Sequence, residues 1–198
     1  MPRDKQGLLT LRQPWPSMLR TLYGDDDRYV STYFERFGAE TYFVGDASRE
    51  DSDDYFWVIG RVDDVLNVSG HRMSTAEIES AVVSHPKVAE CATIGAADED
   101  TGQSVVCFVT LEGDLEGTDE LVAEIREHVA QRIGKLARPK RIIWADDLPK
   151  TRSGKIMRRL LRDIAEGREL GDVTTLRDPN VMAQLEERIA ARKDDADA

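Results

Sequence analysis

Residues that usually build metal and nucleophile sites are scarce in this chain, which has two cysteines and three histidines among 198 residues. Cys91 and Cys107 lie in apolar stretches that alternate like strands, so we predict buried structural thiols rather than a disulfide or a metal pair. No apolar run approaches the ~20 residues that span a bilayer, and the N-terminus lacks the basic-then-apolar order of a secretory signal. We therefore expect a cytoplasmic protein with no membrane partner.

Positive charge is also scarce, because 27 Lys and Arg stand against 38 Asp and Glu and the formal net charge is -11. Aspartate outnumbers glutamate 22 to 16, and arginine outnumbers lysine 20 to 7. A carboxylate-rich surface suggests adaptation to a salt-rich cytoplasm, as in a halophile, although a GC-rich genome would also favour arginine over lysine. Because such a surface repels phosphate, we expect no nucleic-acid partner.

One segment, "DDLPKTRSGKIMRR", contradicts this charge balance, since it carries several cations and no acid between Lys150 and Arg159. It is open to three interpretations: a nucleic-acid patch, a phosphate-binding active-site loop, or the charged start of a surface helix. Cations before a helix oppose its dipole, which favours a visiting anion. Gly154 would permit close backbone approach, and Lys155 would supply a mobile point charge. A Walker loop is excluded, because the earlier glycine that it requires is missing.

Hydrophobic periodicity predicts a β-rich region before position 63. A strand begins near Leu8, and "DRYVSTYFERF" has the aromatic spacing of a short amphipathic helix. Two strands joined by an acidic turn follow in "TYFVGDASRED" and "DYFWVIGRVDD". These strands are too few to close a core, so the region resembles the remnant of a larger domain.

From Asp63 onward the pattern predicts a complete α+β domain, with a small mixed sheet and helices on one face. Strand "DVLNV" and turn "SGHR" precede a helix that Ser74 and Glu77 would open as a capping box. Strands "KVAECATIGAAD" and "QSVVCFVTLEG", a helix capped by Thr118, strand "KRIIWAD" and helix "IMRRLLRDIAEG" complete the domain.

Three stretches read together, "YFVGD", "GRVDDVLNVSGHRMSTAEIE" and "LPKTRSGKIMRR", closely resemble the C-terminal third of the adenylate-forming, AMP-producing acyl-CoA synthetases. The tail "GDVTTLRDPNVMAQL" is similar to that of the acetyl-CoA synthetases in particular. The resemblance covers the chain from about Leu8 to Ile189. It implies that residues 1–62 are the incomplete end of a large N-terminal domain and residues 63–198 the mobile C-terminal domain.

The resemblance also implies a set of functional residues. They are Lys155 as the adenylation lysine, Asp46, Arg61 and Arg72 as ATP or AMP contacts, Ser69 and Gly70 beside coenzyme A, and Asp63 as the hinge between the domains. The implied cofactors are ATP, coenzyme A and Mg²⁺.

Two further positions need separate treatment. Val83, His85 and Val88, which would supply one imidazole and two backbone carbonyls, match a metal site reported in some synthetases of this type. Ala130 stands where relatives usually place the arginine that meets the 3′-phosphate of coenzyme A. Arg132 lies about 200° further around the helix and is a poor substitute.

The glycine-rich phosphate loop, the adenine pocket and the carboxylate pocket of such synthetases do not occur in this sequence. We therefore expect the C-terminal segment of an acetate–CoA ligase that is inactive alone, with acetate or another short carboxylate and a separate N-terminal portion as partners. A lysine acetyltransferase and deacetylase are further candidate partners. The first alternative is a non-catalytic module or partner subunit, and the second is a nucleic-acid binder.

Overall fold

A computed structural model describes residues 3–62 and 64–196, which divide into two compact units between Val65 and Leu66. Sequence interpretation put the domain boundary at Asp63, slightly earlier in the chain. Asp63, the predicted hinge, lies outside the described residues. The assignment of the two units to domains of a synthetase stays a prediction.

The first unit contains one helix and an antiparallel sheet in the order β1-β2-β3. Its elements are β1 (Gln6–Leu11), α1 (Asp26–Tyr33), β2 (Tyr42–Glu50) and β3 (Phe56–Arg61). Ala47 is the one buried hydrophobic side chain among its described residues, while Phe56, Trp57 and Val58 are exposed in succession. The predicted strands and helix are confirmed, and this unit by itself has almost no core.

The second unit begins within a two-stranded pair and continues into a three-stranded sheet. Its elements are β4 (Val65–Val68), β5 (His71–Ser74), α2 (Thr75–Val83), β6 (Val88–Asp98), β7 (Gly102–Leu111), α3 (Asp119–Arg132), β8 (Arg141–Trp144), α4 (Arg158–Ala165) and α5 (Asn180–Ala196). β4 pairs with β5, and the larger sheet has the order β6-β7-β8. Since β6 and β7 are antiparallel and β7 and β8 parallel, the predicted small mixed sheet is confirmed.

Helices cover both faces of this sheet, whereas we expected them on one face. Consecutive side chains of a strand point to opposite faces, and both faces of β6 and β7 are apolar. Cys91 and Cys107 pack in the same cluster as residues of α2 and α3. Ile94 and Phe108 pack in a second cluster with residues of α4 and α5. The sequence of a strand that is buried on both sides is a continuous apolar run. This pattern does not tell whether helices cover one face of the sheet or both.

The last helix, α5, was not predicted. Its buried side chains Val181, Met182 and Leu185 belong to the second cluster. Ile189 packs partly buried against the same cluster. Each fully buried side chain contributes about 1.5–3 kcal/mol, enough to hold the helix on the sheet.

The two helix caps differ from each other. The Thr118 hydroxyl accepts a hydrogen bond from the Leu121 N–H over 3.3 Å, as predicted. Ser74 precedes α2, but its side chain makes no capping hydrogen bond. The predicted capping box with Glu77 is therefore not formed.

Cys91 and Cys107 are free and buried, which confirms their prediction as structural thiols. A hydrogen bond with Cys107 and burial raise the pKa of the Cys91 thiol, which keeps it protonated. In the part of the chain that is described, none of the helices combines the length and the hydropathy that crossing a bilayer requires.

Candidate active site

The basic segment folds into a tight hairpin, residues 150–156, which we call the Lys155 hairpin. Lys150 and Ile156 form its antiparallel bridge. The Thr151 N–H donates to the Lys155 carbonyl over 2.8 Å, and the Gly154 N–H donates to the Thr151 carbonyl over 2.9 Å. Gly154 has a φ of +84°, the left-handed conformation that a three-residue hairpin turn needs at this position. The backbone at Lys155 is therefore held firmly in place.

Lys150 is neutralised within the molecule. Its Nζ atom lies 2.6 Å from Glu90 Oε2 and 3.0 Å from Asp147 Oδ1. Partial burial opposes the charged form, but the two carboxylates outweigh it and raise the pKa of Lys150. Lys150 thus links the hairpin to the start of β6, and the two carboxylates already neutralise its charge.

The two arginines at the start of α4 are also paired with acids. Arg158 Nη2 lies 2.8 Å from Glu79 Oε2, and Arg158 Nε lies 3.2 Å from Glu79 Oε1. Arg159 Nη1 lies 3.7 Å from Asp163 Oδ2. Acids of the same chain therefore offset the cost of placing cations at a helix N-terminus. The sequence argument that this cost requires a visiting anion does not hold for these two arginines.

Arg152 and Lys155 differ from their neighbours. Both are exposed, and neither side chain makes a hydrogen bond or an ion pair within residues 3–62 and 64–196. The tip of the hairpin thus presents two positive charges that have no partner in the described part of the chain, although the formal net charge of the protein is -11.

Asp46 and Arg61 are brought together in the first unit, where they lie directly opposite each other on β2 and β3. Arg61 Nη1 is 3.9 Å from Asp46 Oδ1 and donates to the Val44 carbonyl over 3.4 Å. A Cβ atom at Gly45 would lie 2.6 Å from Arg61 Nη1, so glycine is what lets the guanidinium cross the strand. The partly exposed pair offers one carboxylate and one guanidinium to a ligand.

Ser69 and Gly70 form a two-residue turn between β4 and β5, which we call the Ser69–Gly70 turn. Their φ angles are 50° and 81°, as a hairpin turn of this length requires. The Ser69 N–H donates to the Thr101 carbonyl over 3.0 Å. Apart from the residues next to Gly70 in the chain, no described residue has an atom within 4 Å of a Cβ placed on Gly70. Strand pairing resumes at His71, so the predicted turn "SGHR" is two residues shorter than expected and Arg72 is an exposed strand residue.

The Lys155 hairpin and the Ser69–Gly70 turn lie near opposite ends of β6. Lys150 pairs with Glu90 near the start of this strand. The Ser69–Gly70 turn is joined to Thr101, just beyond the last residue of the strand, Asp98. From position 90 to position 98 an extended strand rises about 26 Å, at ~3.3 Å per residue. One small anion cannot contact both features at once.

His85 is buried, and both of its ring nitrogens have protein partners. Nε2 lies 3.1 Å from Glu124 Oε1, and the Lys87 N–H donates to Nδ1 over 3.3 Å. Val88 is buried as well, whereas Val83 is exposed. Among the described residues no group of three His, Cys, Asp or Glu side chains could hold a metal ion. Metal binding at Val83, His85 and Val88 stays a prediction, and we derive no chemistry from it.

Known proteins resemble this chain in sequence over most of its length. A family model, the AMP-binding enzyme C-terminal domain, matches residues 77–155. The acetyl-coenzyme A synthetase of Rubrobacter xylanophilus is 60% identical over 188 residues, which are 94% of this chain and 29% of the relative. The chain therefore spans less than a third of the length of the curated relatives it matches.

Solved structures show the same architecture. The acetoacetyl-CoA synthetase from Streptomyces lividans superposes with a TM-score of 0.81 at 24% identity, over 96% of this chain and 29% of that protein. An anthranilate CoA ligase, AuaEII, in complex with anthranoyl-AMP gives a TM-score of 0.67 at 31% identity, over 84% of this chain and 31% of that protein. The predicted α+β class with a small mixed sheet is confirmed.

Proposed function

We propose that this chain supplies the C-terminal part of an acetate–CoA ligase. The premise is that it belongs to the AMP-binding enzyme family and matches the C-terminal part of acetyl-coenzyme A synthetases. The complete enzyme would convert acetate and ATP to acetyl-AMP and then transfer the acetyl group to coenzyme A. The observation that carries the proposal is Lys155, an exposed cation on a rigid hairpin whose neighbouring cations are mostly neutralised.

Lys155 has the properties that adenylation needs. A carboxylate oxygen of acetate attacks the α-phosphorus of ATP, the bond to the bridging oxygen breaks, and its electron pair leaves with pyrophosphate. Two anions must approach each other in this step, and a cation placed in advance lowers the barrier. The ammonium group of Lys155 is a mobile point charge on a fixed backbone, which supports its assignment as the adenylation lysine.

Asp46 and Arg61 are suited to the nucleotide. A carboxylate has two acceptor oxygens, which match the two hydroxyls of a ribose, and a guanidinium binds phosphate. Their pairing across β2 and β3 supports a joint role at the ribose and phosphate end of ATP. Mg²⁺, when it accompanies ATP, would neutralise phosphate charge, and we assign it no protein ligand here.

The Ser69–Gly70 turn is suited to coenzyme A, and Arg72 beside it is suited to the phosphate of the bound nucleotide. The turn has open space at Gly70, where a narrow pantetheine chain could pass. Arg72 is exposed two residues later and could contact a phosphate. Because this region lies about 26 Å from the Lys155 hairpin along β6, the two half-reactions would use different orientations of the second unit. Asp63 would be the hinge between these orientations.

The proposed partners are acetate or another short carboxylate, together with the N-terminal portion of a synthetase, in the cytoplasm. The exposed Lys155 is also accessible to a lysine acetyltransferase and a deacetylase. Acetylation removes the charge of a lysine, so the modified protein should behave like a variant without the ammonium group.

The test is the Lys155→Ala substitution in a complete synthetase that carries this chain as its C-terminal part. Acetate-dependent exchange of labelled pyrophosphate into ATP should fall by roughly 10²–10³, the usual effect of removing one such electrostatic contact. Thioester formation from supplied acetyl-AMP should change little, because Lys155 would act only in the adenylation orientation. Protein acetylated at Lys155 should likewise lose pyrophosphate exchange and keep thioester formation from acetyl-AMP.

The matched control is Lys135→Ala, which removes the same charge from another exposed position of the second unit. This variant should exchange pyrophosphate like the wild type. Equal losses of Lys155→Ala in both half-reactions would mean that the lysine supports the fold, and our assignment would be wrong. The 198-residue chain assayed alone, which we expect to be inactive, gives the background rate.

A further inference from the structure

The Lys155 hairpin contains a second cation with no assigned role. Arg152 is exposed, and within the described ranges its side chain has no hydrogen-bond or ion-pair partner. Lys150, Arg158 and Arg159 in the same segment all have carboxylates within 4 Å. Within this basic segment, the lack of a carboxylate partner among the described residues distinguishes Arg152 and Lys155 from those three cations.

The turn keeps the two cations close to each other. Arg152, Ser153 and Gly154 are its three residues, and Lys155 follows directly. Three peptide units separate the Cα atoms of Arg152 and Lys155, so these atoms can be no more than about 11 Å apart. Thr151 accepts hydrogen bonds at its carbonyl and its hydroxyl from Gly154 and Lys155, which fixes the turn. Two long side chains on so short a turn can contact neighbouring groups of one ligand.

We infer that Arg152 binds the β- and γ-phosphates of ATP and then the pyrophosphate that leaves. This inference rests on the proposed function, in which Lys155 meets the α-phosphate. The anionic groups adjacent to the α-phosphate are the β-phosphate on one side and the attacking acetate on the other.

The direction of charge flow in the reaction distinguishes these two anions. When the bond between the α-phosphorus and the bridging oxygen breaks, its electron pair moves onto pyrophosphate, whereas the acetate oxygen loses charge to the new bond. A cation stabilises the transition state more than the ground state only where negative charge increases. A guanidinium also presents a planar fork of N–H donors that matches two phosphate oxygens, which an ammonium group cannot do.

The experiment uses the complete synthetase that carries this chain, with Arg152→Ala and Arg152→Lys. In pyrophosphate–ATP exchange, Arg152→Ala should raise the KM for pyrophosphate by about 10- to 100-fold, the effect of losing one charge-assisted hydrogen bond. The KM for acetate should stay unchanged. Arg152→Lys keeps the charge but not the fork, so it should restore only part of the affinity. Thermal unfolding of each variant checks that the fold is intact.

Arg132→Ala is the matched control, because Arg132 is exposed on α3 of the same unit and pyrophosphate exchange needs no coenzyme A. If Arg152→Ala behaves like Arg132→Ala while Lys155→Ala is inactive, the inference is overturned and the proposed function stands. A change in the KM for acetate instead of pyrophosphate would also overturn it. If Lys155→Ala is fully active, the proposed function fails, and the role of Arg152 fails with it.

Discussion

Ala130 is the position where this chain departs most clearly from the resemblance. It is half-buried on α3, where an arginine is expected to meet the 3′-phosphate of coenzyme A. Arg132 is exposed but points about 200° away around the helix. Arg126 lies one turn before Ala130 on the same side, and its buried Nε atom has no hydrogen-bond partner among the described residues. Neither arginine stands at the expected position, so the 3′-phosphate contact should be weak.

Ala130→Arg should therefore strengthen the binding of coenzyme A in the complete synthetase. We expect the KM for coenzyme A to fall by about 10-fold or more, since a charged hydrogen bond to phosphate would be added. Dephospho-coenzyme A, which lacks the 3′-phosphate, should be unaffected. Ala130→Gln, which adds length without charge, is the control. An equal gain with both substrates would show that the arginine acts elsewhere.

At the scale of elements, the turn between β6 and β7 supports the Ser69–Gly70 turn through Thr101. Asp98 holds this turn together, because its Oδ1 accepts from the Thr101 hydroxyl over 2.8 Å and its Oδ2 lies 2.5 Å from Lys140 Nζ. Hydrogen bonds from Lys140 and then Thr101 lower the pKa of Asp98 to about 2. The ionised carboxylate is therefore part of the folded structure.

This lowered pKa predicts a dependence of stability on pH. Because the carboxyl binds its proton more weakly in the folded state, the stabilisation is complete above about pH 4 and is lost as the pH falls toward 2. The difference in unfolding free energy between the wild type and Asp98→Asn should shrink over this range. Urea unfolding at several pH values measures it. The exposed neighbour Asp100 provides the control variant, Asp100→Asn, and a constant difference for Asp98→Asn would contradict the prediction.

Features of the fold and of the candidate site could be predicted from the sequence where they depend on residues close together in the chain. Local signals were sufficient for the strands and for the cap at Thr118. The partners of the basic segment were not predictable, because Glu79 meets Arg158 from 79 residues away. The same limit hid α5, whose contacts are with the far face of the sheet. Motif resemblance located Asp46 and Arg61, but their pairing across two strands appeared only in the structure.

At the scale of the whole molecule, the dominant property is the formal net charge of -11. Repulsion among exposed carboxylates opposes the compact state, and salt screens it, since the Debye length falls from about 10 Å at 0.1 M to about 3 Å at 1 M. The ion pair between Lys150 and Glu90 is partly shielded from solvent and should be screened less. The net effect of salt should therefore be stabilising.

Potassium chloride should raise the melting temperature of the chain between 0.1 and 1 M. An effect of about 1 kcal/mol corresponds to a rise of about 2–4 °C for a protein of this size. Differential scanning calorimetry measures it, and a parallel series in sucrose separates charge screening from general exclusion of solutes. A melting temperature that falls steadily with salt would remove the argument for a salt-adapted protein.

The separation of the Lys155 hairpin and the Ser69–Gly70 turn along β6 makes this strand a lever arm. With an arm of about 26 Å, a tilt of about 2° at one end moves the other end by about 1 Å. A displacement of about 1 Å can cost an enzyme about 100-fold in rate. The accuracy with which the Lys155 hairpin or the Ser69–Gly70 turn is positioned thus depends on the stiffness of the sheet between them. Side chains such as Phe108, which is fully buried in this sheet, would set that angular tolerance for both of the proposed half-reactions.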